Sequence, residues 1–131
     1  QDWHFYKEIS NDSKYITLTH ALTSEIPQTL YDESIKWYER LDGEHVDVFV
    51  SHIPPIHPPN SKYPPNGCYL TEVPFLISDH WVCGHTHIKD VFQKAGVQFY
   101  MNSIGYPTEY NNQKVNENLN LNEFNVQTFE I

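Results

Sequence analysis

The chain has 131 residues, with 17 acidic against 8 basic side chains and a formal net charge of −9. That length suits one domain rather than two, and the acidity disfavours general binding to a nucleic-acid backbone or an anionic membrane. A small phosphate-bearing substrate stays open, because a bound cation can reverse the local sign. Aromatic residues reach 15%, more than a disordered chain carries, so a packed core is expected. No apolar run approaches the length of a membrane-spanning helix, and the opening Gln1-Asp2-Trp3-His4 does not read as a signal peptide. Two cysteines, Cys68 and Cys83, are too few to staple a domain of this size, which points to a reduced, cytoplasmic setting. The unusual count is histidine, at 8, as many as lysine and arginine combined.

In chain order, residues 15–20 read as a first strand, β-branched and aromatic behind an Asn11-Asp12-Ser13 turn. Residues 21–31, with Pro27, read as a loop. A helix is expected over 33–41, with Asp32 as its N-cap and Ile35, Tyr38 and Leu41 on one face. Trp37 widens that face, and Gly43 is placed as the stop. Residues 46–51 form the strongest strand, with the apolar, β-branched character of one buried on both faces. It runs into His52 and then a loop, 53–67, that holds six of the nine prolines. Such proline density forbids a helix or a central strand, and a loop of this length in a compact domain is usually functional or disordered.

Residues 68–79 suggest a short helix weakened by Pro74, and 80–83 a strand ending at Gly84-His85-Thr86-His87. Strands at 89–94 and 97–102 are joined through Ala95-Gly96 as a hairpin. The asparagine-rich stretch 111–122 reads as loop, and 124–131 as a last strand. Trp3, Trp37, Trp81 and Cys83 are assigned to the core. Strand, helix, strand and then several strands favour a mixed α/β layer structure.

Three histidines share one address. His52 follows one strand, and His85 and His87 follow another. Side chains at the carboxyl ends of strands in an open α/β sheet point into the crevice where ligands bind. Imidazole is the commonest neutral nitrogen ligand for Zn, Mn and Fe. His85 and His87 would face opposite sides of an extended chain, so a turn at Gly84 is expected to bring both to a shared centre or to two adjacent ones. His4, His45 and His57 carry no such address and read as ordinary polar residues.

Taken together, Val48-Phe49-Val50-Ser51-His52-Ile53-Pro54-Pro55, Trp81-Val82-Cys83-Gly84-His85-Thr86-His87 and Tyr100-Met101-Asn102-Ser103-Ile104-Gly105 resemble the C-terminal half of a calcineurin-like metallophosphoesterase. The resemblance runs over roughly residues 15–110. It implies a pair of facing mixed sheets flanked by helices, an α-β-β-α sandwich, around two divalent ions drawn from Mn, Fe, Zn or Co. It also implies that His52 and His85 ligate one ion and His87 the other, and that the substrate is a phosphate ester hydrolysed by a two-metal mechanism.

The family's first half would supply an Asp-x-His, a Gly-Asp-x-x-Asp and a Gly-Asn-His motif. Asp2-Trp3-His4 fits the first on paper but lacks the strand that should precede it, and the other two are not found. Residues 1–131 are therefore expected to be the C-terminal part of a single domain, with no catalytic side chain of their own. Activity is expected only with an N-terminal half or another copy of this chain, since one apolar sheet face and one edge would otherwise stand uncovered. The substrate-contacting residues are unassigned. The competing expectation is a non-catalytic interaction module on the same fold.

Overall fold

A computed structural model describes His4, Lys7, Glu8, Thr23 and residues 25–103. The expected strands at 15–20 and 124–131, the stretch 111–122, Trp3 and residues 104–107 lie outside the described residues. Helix α1 spans Glu25–Glu39, followed by strands β1 (Val46–Val50), β2 (Ser78–Cys83), β3 (Lys89–Lys94) and β4 (Val97–Asn102). The class is α/β, with a four-stranded mixed sheet in the order β1-β2-β4-β3. β1, β2 and β4 run parallel, and β3 pairs antiparallel with β4 at the far edge.

The helix begins earlier than the sequence suggests, at Glu25 rather than near 33. Pro27 lies in the first turn, where its missing N–H would have no partner in any case, so it starts the helix instead of preventing it. Asp32 is then mid-helix and accepts from Gln28 Nε2 at 2.8 Å, one turn earlier. Gly43, at φ 84°, makes the left-handed residue of the exit. Trp37 is 55% exposed and does not join the core, a second departure from expectation. Tyr38 is the buried residue of the helix.

Parallel strands need a crossover between them. Between β1 and β2 it is the proline-rich segment 51–77, and no helix forms in 68–79. Pro54 and Pro58 are fully buried, and Leu70 and Ile77 also enter the interior. The loop therefore covers the sheet as a helix would, and Thr71 N–H closes it by donating to the Pro54 carbonyl at 3.0 Å.

One face of the sheet carries the core. Strand register aligns Phe49, Trp81, Phe99 and Phe92 across all four strands. Successive ring centroids stand 4.5, 6.2 and 5.1 Å apart, within the range over which aromatic pairs attract. Tyr38 packs on this row from α1, 5.6 Å from Phe49 and 6.2 Å from Trp81. Cys83, Val97 and Met101 complete the buried cluster.

The opposite face is a row of valines around His80 and Tyr100. Val46, Val50 and Val91 are 38%, 69% and 49% exposed. Among the described residues β1 is thus the edge strand of the sheet, with Val46 and Val50 exposed, and not a strand buried on both faces. The β3–β4 hairpin forms as expected: Ala95 and Gly96 both take positive φ, 52° and 84°, the pairing of a type I′ turn.

Candidate metal centre

His52, His85 and Ser103 follow the carboxyl ends of β1, β2 and β4, the three parallel strands. The β1–β2 ladder continues past the strands: Ser51 N–H donates to Val82 O, and Gly84 N–H donates to His52 O, both at 3.0 Å. Ser51 fixes the turn between strand and loop. Its hydroxyl accepts from Trp81 Nε1 at 2.9 Å and donates to the Ile53 carbonyl at 2.7 Å. The buried Trp81 therefore anchors the chain one residue before His52.

Gly84 has a different role from the one expected. The positive φ values are at His85 (63°) and His87 (51°). Thr86 N–H donates to Gly84 O at 2.7 Å, closing a γ-turn centred on His85. Positive φ at a non-glycine residue, and a γ-turn of this hand, are both strained. Thr86, 1% exposed, is the plug that holds the turn in place. A Cβ on Gly84 would stand 3.2 Å from Ser103 Oγ, so a larger residue there would have to push the β4 exit hydroxyl aside by a few tenths of an ångström.

This turn brings two of the three expected ligands together. His85 Nδ1 lies 3.1 Å from His52 Nε2, with ring centroids 4.9 Å apart and the rings nearly perpendicular. His85 Nε2 lies 2.6 Å from the Cys68 carbonyl. A carbonyl only accepts, so Nε2 carries the proton. In the neutral ring, Nδ1 is then the lone-pair nitrogen turned to His52. Two imidazole nitrogens on one tetrahedral zinc, each at about 2.0–2.1 Å, stand about 3.3 Å apart. In the structure itself the pair is a hydrogen bond, His52 Nε2–H donating to His85 Nδ1, and its spacing is close to one edge of a coordination shell.

His87 does not join that pair. Among the described residues no group of three or more His, Cys, Asp or Glu side chains is gathered as for a metal ion. Two imidazoles by themselves are fewer ligands than a protein metal centre uses.

The proline loop forms the wall beside His85. Tyr69 lies 6.0 Å from the His85 ring and stacks on Tyr63 at 4.4 Å. Lys62 places its ammonium 5.1 Å from the Tyr63 ring centre, a cation–π contact at the exposed end. His57 Nε2 donates to the Tyr63 carbonyl at 3.0 Å, so it braces the loop. The sequence reading missed the Cys68 carbonyl, since a backbone acceptor leaves no side-chain signature. Both cysteines are free thiols. Burial pushes the Cys83 thiol up to about 12, making it an inert core residue.

No family model, curated protein or solved structure matches this chain. Among the described residues no helix is long and apolar enough to cross a membrane.

Proposed function

We propose that this chain is the C-terminal portion of a cytoplasmic metal-dependent phosphoesterase, active only when joined to an N-terminal half or to a second copy. The observation that carries the reading is the pair His52 Nε2 and His85 Nδ1, 3.1 Å apart at the carboxyl ends of adjacent parallel strands. His52 and His85 would hold one divalent ion, and His87, on the next turn of backbone, would reach towards a second. Such ions, when bound, polarise a phosphoryl group and activate water. The chain's own contribution is to orient neutral nitrogen donors rigidly, through the γ-turn, the plug of Thr86 and the Trp81–Ser51 anchor. The remaining ligands would be carboxylates of the partner.

The open valine face and the β1 edge support the need for that partner. A groove of about 540 Å³ lies between α1, β1 and the proline loop, with Leu30, Trp37 and Val50 among its walls. Exposed apolar surface of this kind marks an interaction site.

The test measures bound Mn, Fe and Zn, and hydrolysis of bis-p-nitrophenyl phosphate, for this chain alone and mixed with its upstream segment. Metal and activity appearing on mixing are expected. Within the active complex, His52→Ala and His85→Ala should each empty one metal position; unchanged metal content in both variants refutes the ligand assignment. Metal-free, inactive protein in both states would make the chain an interaction module.

A further inference from the structure

The large apolar side chains that stand exposed are not scattered. Of the six among the described residues, Val46 and Val50 lie on β1, and Leu30 and Trp37 line the groove beside it. Apolar surface gathered at one edge marks a site of association. Among the described residues β1 has no neighbour on its outer side. Val46 N–H donates to the Ile77 carbonyl at 2.8 Å, so the main-chain groups of Val46, and with them those of Val48 and Val50, turn towards β2. Main-chain direction alternates along a strand, which turns the N–H and C=O of Asp47 and Phe49 outward. An added strand would take up these groups.

We infer that the occupant of this edge is β1 of a second copy of the chain, paired antiparallel about a two-fold axis at Val48. The strand reads Val-Asp-Val-Phe-Val, and reversal about Val48 sets Val46 against the second copy's Val50. Asp47 then meets the second copy's Phe49 in the doubly hydrogen-bonded pair of an antiparallel ladder, and Phe49 meets its Asp47 in the same way. The valines fall at the close, non-hydrogen-bonded positions, with Cα atoms about 4.5 Å apart, where apolar pairs stabilise a sheet. Charge and length select this register. An axis at Asp47 would set the two Asp47 carboxylates directly opposite each other, which is destabilising. An axis at Phe49 would set Val46 and Asp47 against residues past the end of β1, where the chain turns into the proline loop. The axis at Val48 pairs all 5 residues of the strand and holds the carboxylates on a diagonal. Such a contact is isologous and closed, so it makes a dimer with one continuous sheet and not a fibre. One strand pair flanked by a groove is a small interface, of the weak and concentration-dependent class. The proposed function leaves the occupant open between an N-terminal half and a second copy; this inference names the second copy and uses neither the histidines nor a metal.

The experiment uses the full chain with no partner added. Cys68→Ser removes the half-buried thiol from all cross-linking samples, and Cys83 is held in the core at 5% exposed. Val48→Cys places a thiol on the axis, at a Cα separation that a disulfide spans. Val46→Cys places one four residues along the strand from its own counterpart, roughly 13 Å away and out of reach. Under mild oxidation Val48→Cys should become a disulfide-linked dimer and Val46→Cys should not. An equal mixture of Val46→Cys and Val50→Cys chains should cross-link to the mixed dimer. Sedimentation equilibrium of the wild-type chain should show a mass rising with concentration towards twice 15.4 kDa. A wild-type monomer at every concentration overturns the assignment and leaves the edge to the proposed N-terminal partner. Equal cross-linking of Val46→Cys and Val48→Cys overturns it too, since edges that meet without register would not tell the two apart. The wild-type mass decides even where a cysteine variant does not fold. Metal and hydrolysis enter neither readout. A register-specific dimer that gains no metal and no activity keeps this inference and removes the phosphoesterase, whereas a strict monomer that gains both on mixing removes this inference alone.

Discussion

Tyr38 and Cys83 carry ionisable groups into an otherwise apolar interior. Both are pushed up to about 12 by burial, from ordinary values of 10.0 and 9.0. The Tyr38 hydroxyl donates to the Phe75 carbonyl at 2.8 Å, which also requires the protonated form. The sign of the linkage follows. Below about pH 9 both groups are protonated in the folded and unfolded chains, and stability is insensitive to them. Above it the unfolded chain releases the Cys83 proton first, and from about pH 10 the Tyr38 proton, while the fold retains both. Stability should therefore fall as pH rises through the interval from about 9 to 12. Urea midpoints at about pH 8, 9.5 and 11 measure it, and equal midpoints would contradict it. Tyr38→Phe keeps the ring in the aromatic cluster and removes the hydroxyl. It should cost about 1 kcal/mol at neutral pH and flatten the decline above pH ~10.

At the scale of elements, the β3–β4 hairpin has a local flaw open to correction. Ala95 occupies φ 52° in a turn whose first position favours asparagine. The alanine methyl makes that left-handed conformation costly, whereas an asparagine amide tolerates it. Ala95→Asn should raise stability by about 0.5–1 kcal/mol, read as a higher urea midpoint with an unchanged slope. The hairpin itself was legible because a two-residue Ala-Gly link separates two β-rich runs. β1 was legible too, from Val-Asp-Val-Phe-Val, but its place in the sheet was not. An apolar run looks the same at a buried centre and at an edge awaiting a neighbour. The helix start was hidden because Pro27 reads as a breaker unless its place in the first turn is known. The histidine pair was foreseeable from its strand-end addresses. The strained φ values of His85 and His87 and the Cys68 contact were not, because they depend on how Thr86 and the proline loop pack.

For the whole molecule, the two faces of the sheet pull in different directions. One is closed by α1 and the proline crossover over an aligned row of four aromatic rings, which gives the chain a core of its own. The other carries the exposed Val46, Val50 and Val91, and among the described residues β1 has no neighbour on its outer edge, beside the groove at Trp37. An open edge with apolar flanks invites pairing, and a half-covered sheet stays marginal until its second face is buried. The chain should therefore fold but associate. Mass measured in solution should exceed 15.4 kDa at high concentration, or do so on addition of the proposed N-terminal partner. Replacing Val50, the most exposed of the three, with lysine puts a charge on that edge. It should abolish association while leaving the circular dichroism spectrum and urea midpoint of the isolated chain within about 0.5 kcal/mol. A wild-type chain that stays monomeric under both conditions would remove the need for a partner, and the two-histidine pair would then have to find its carboxylates within the chain itself.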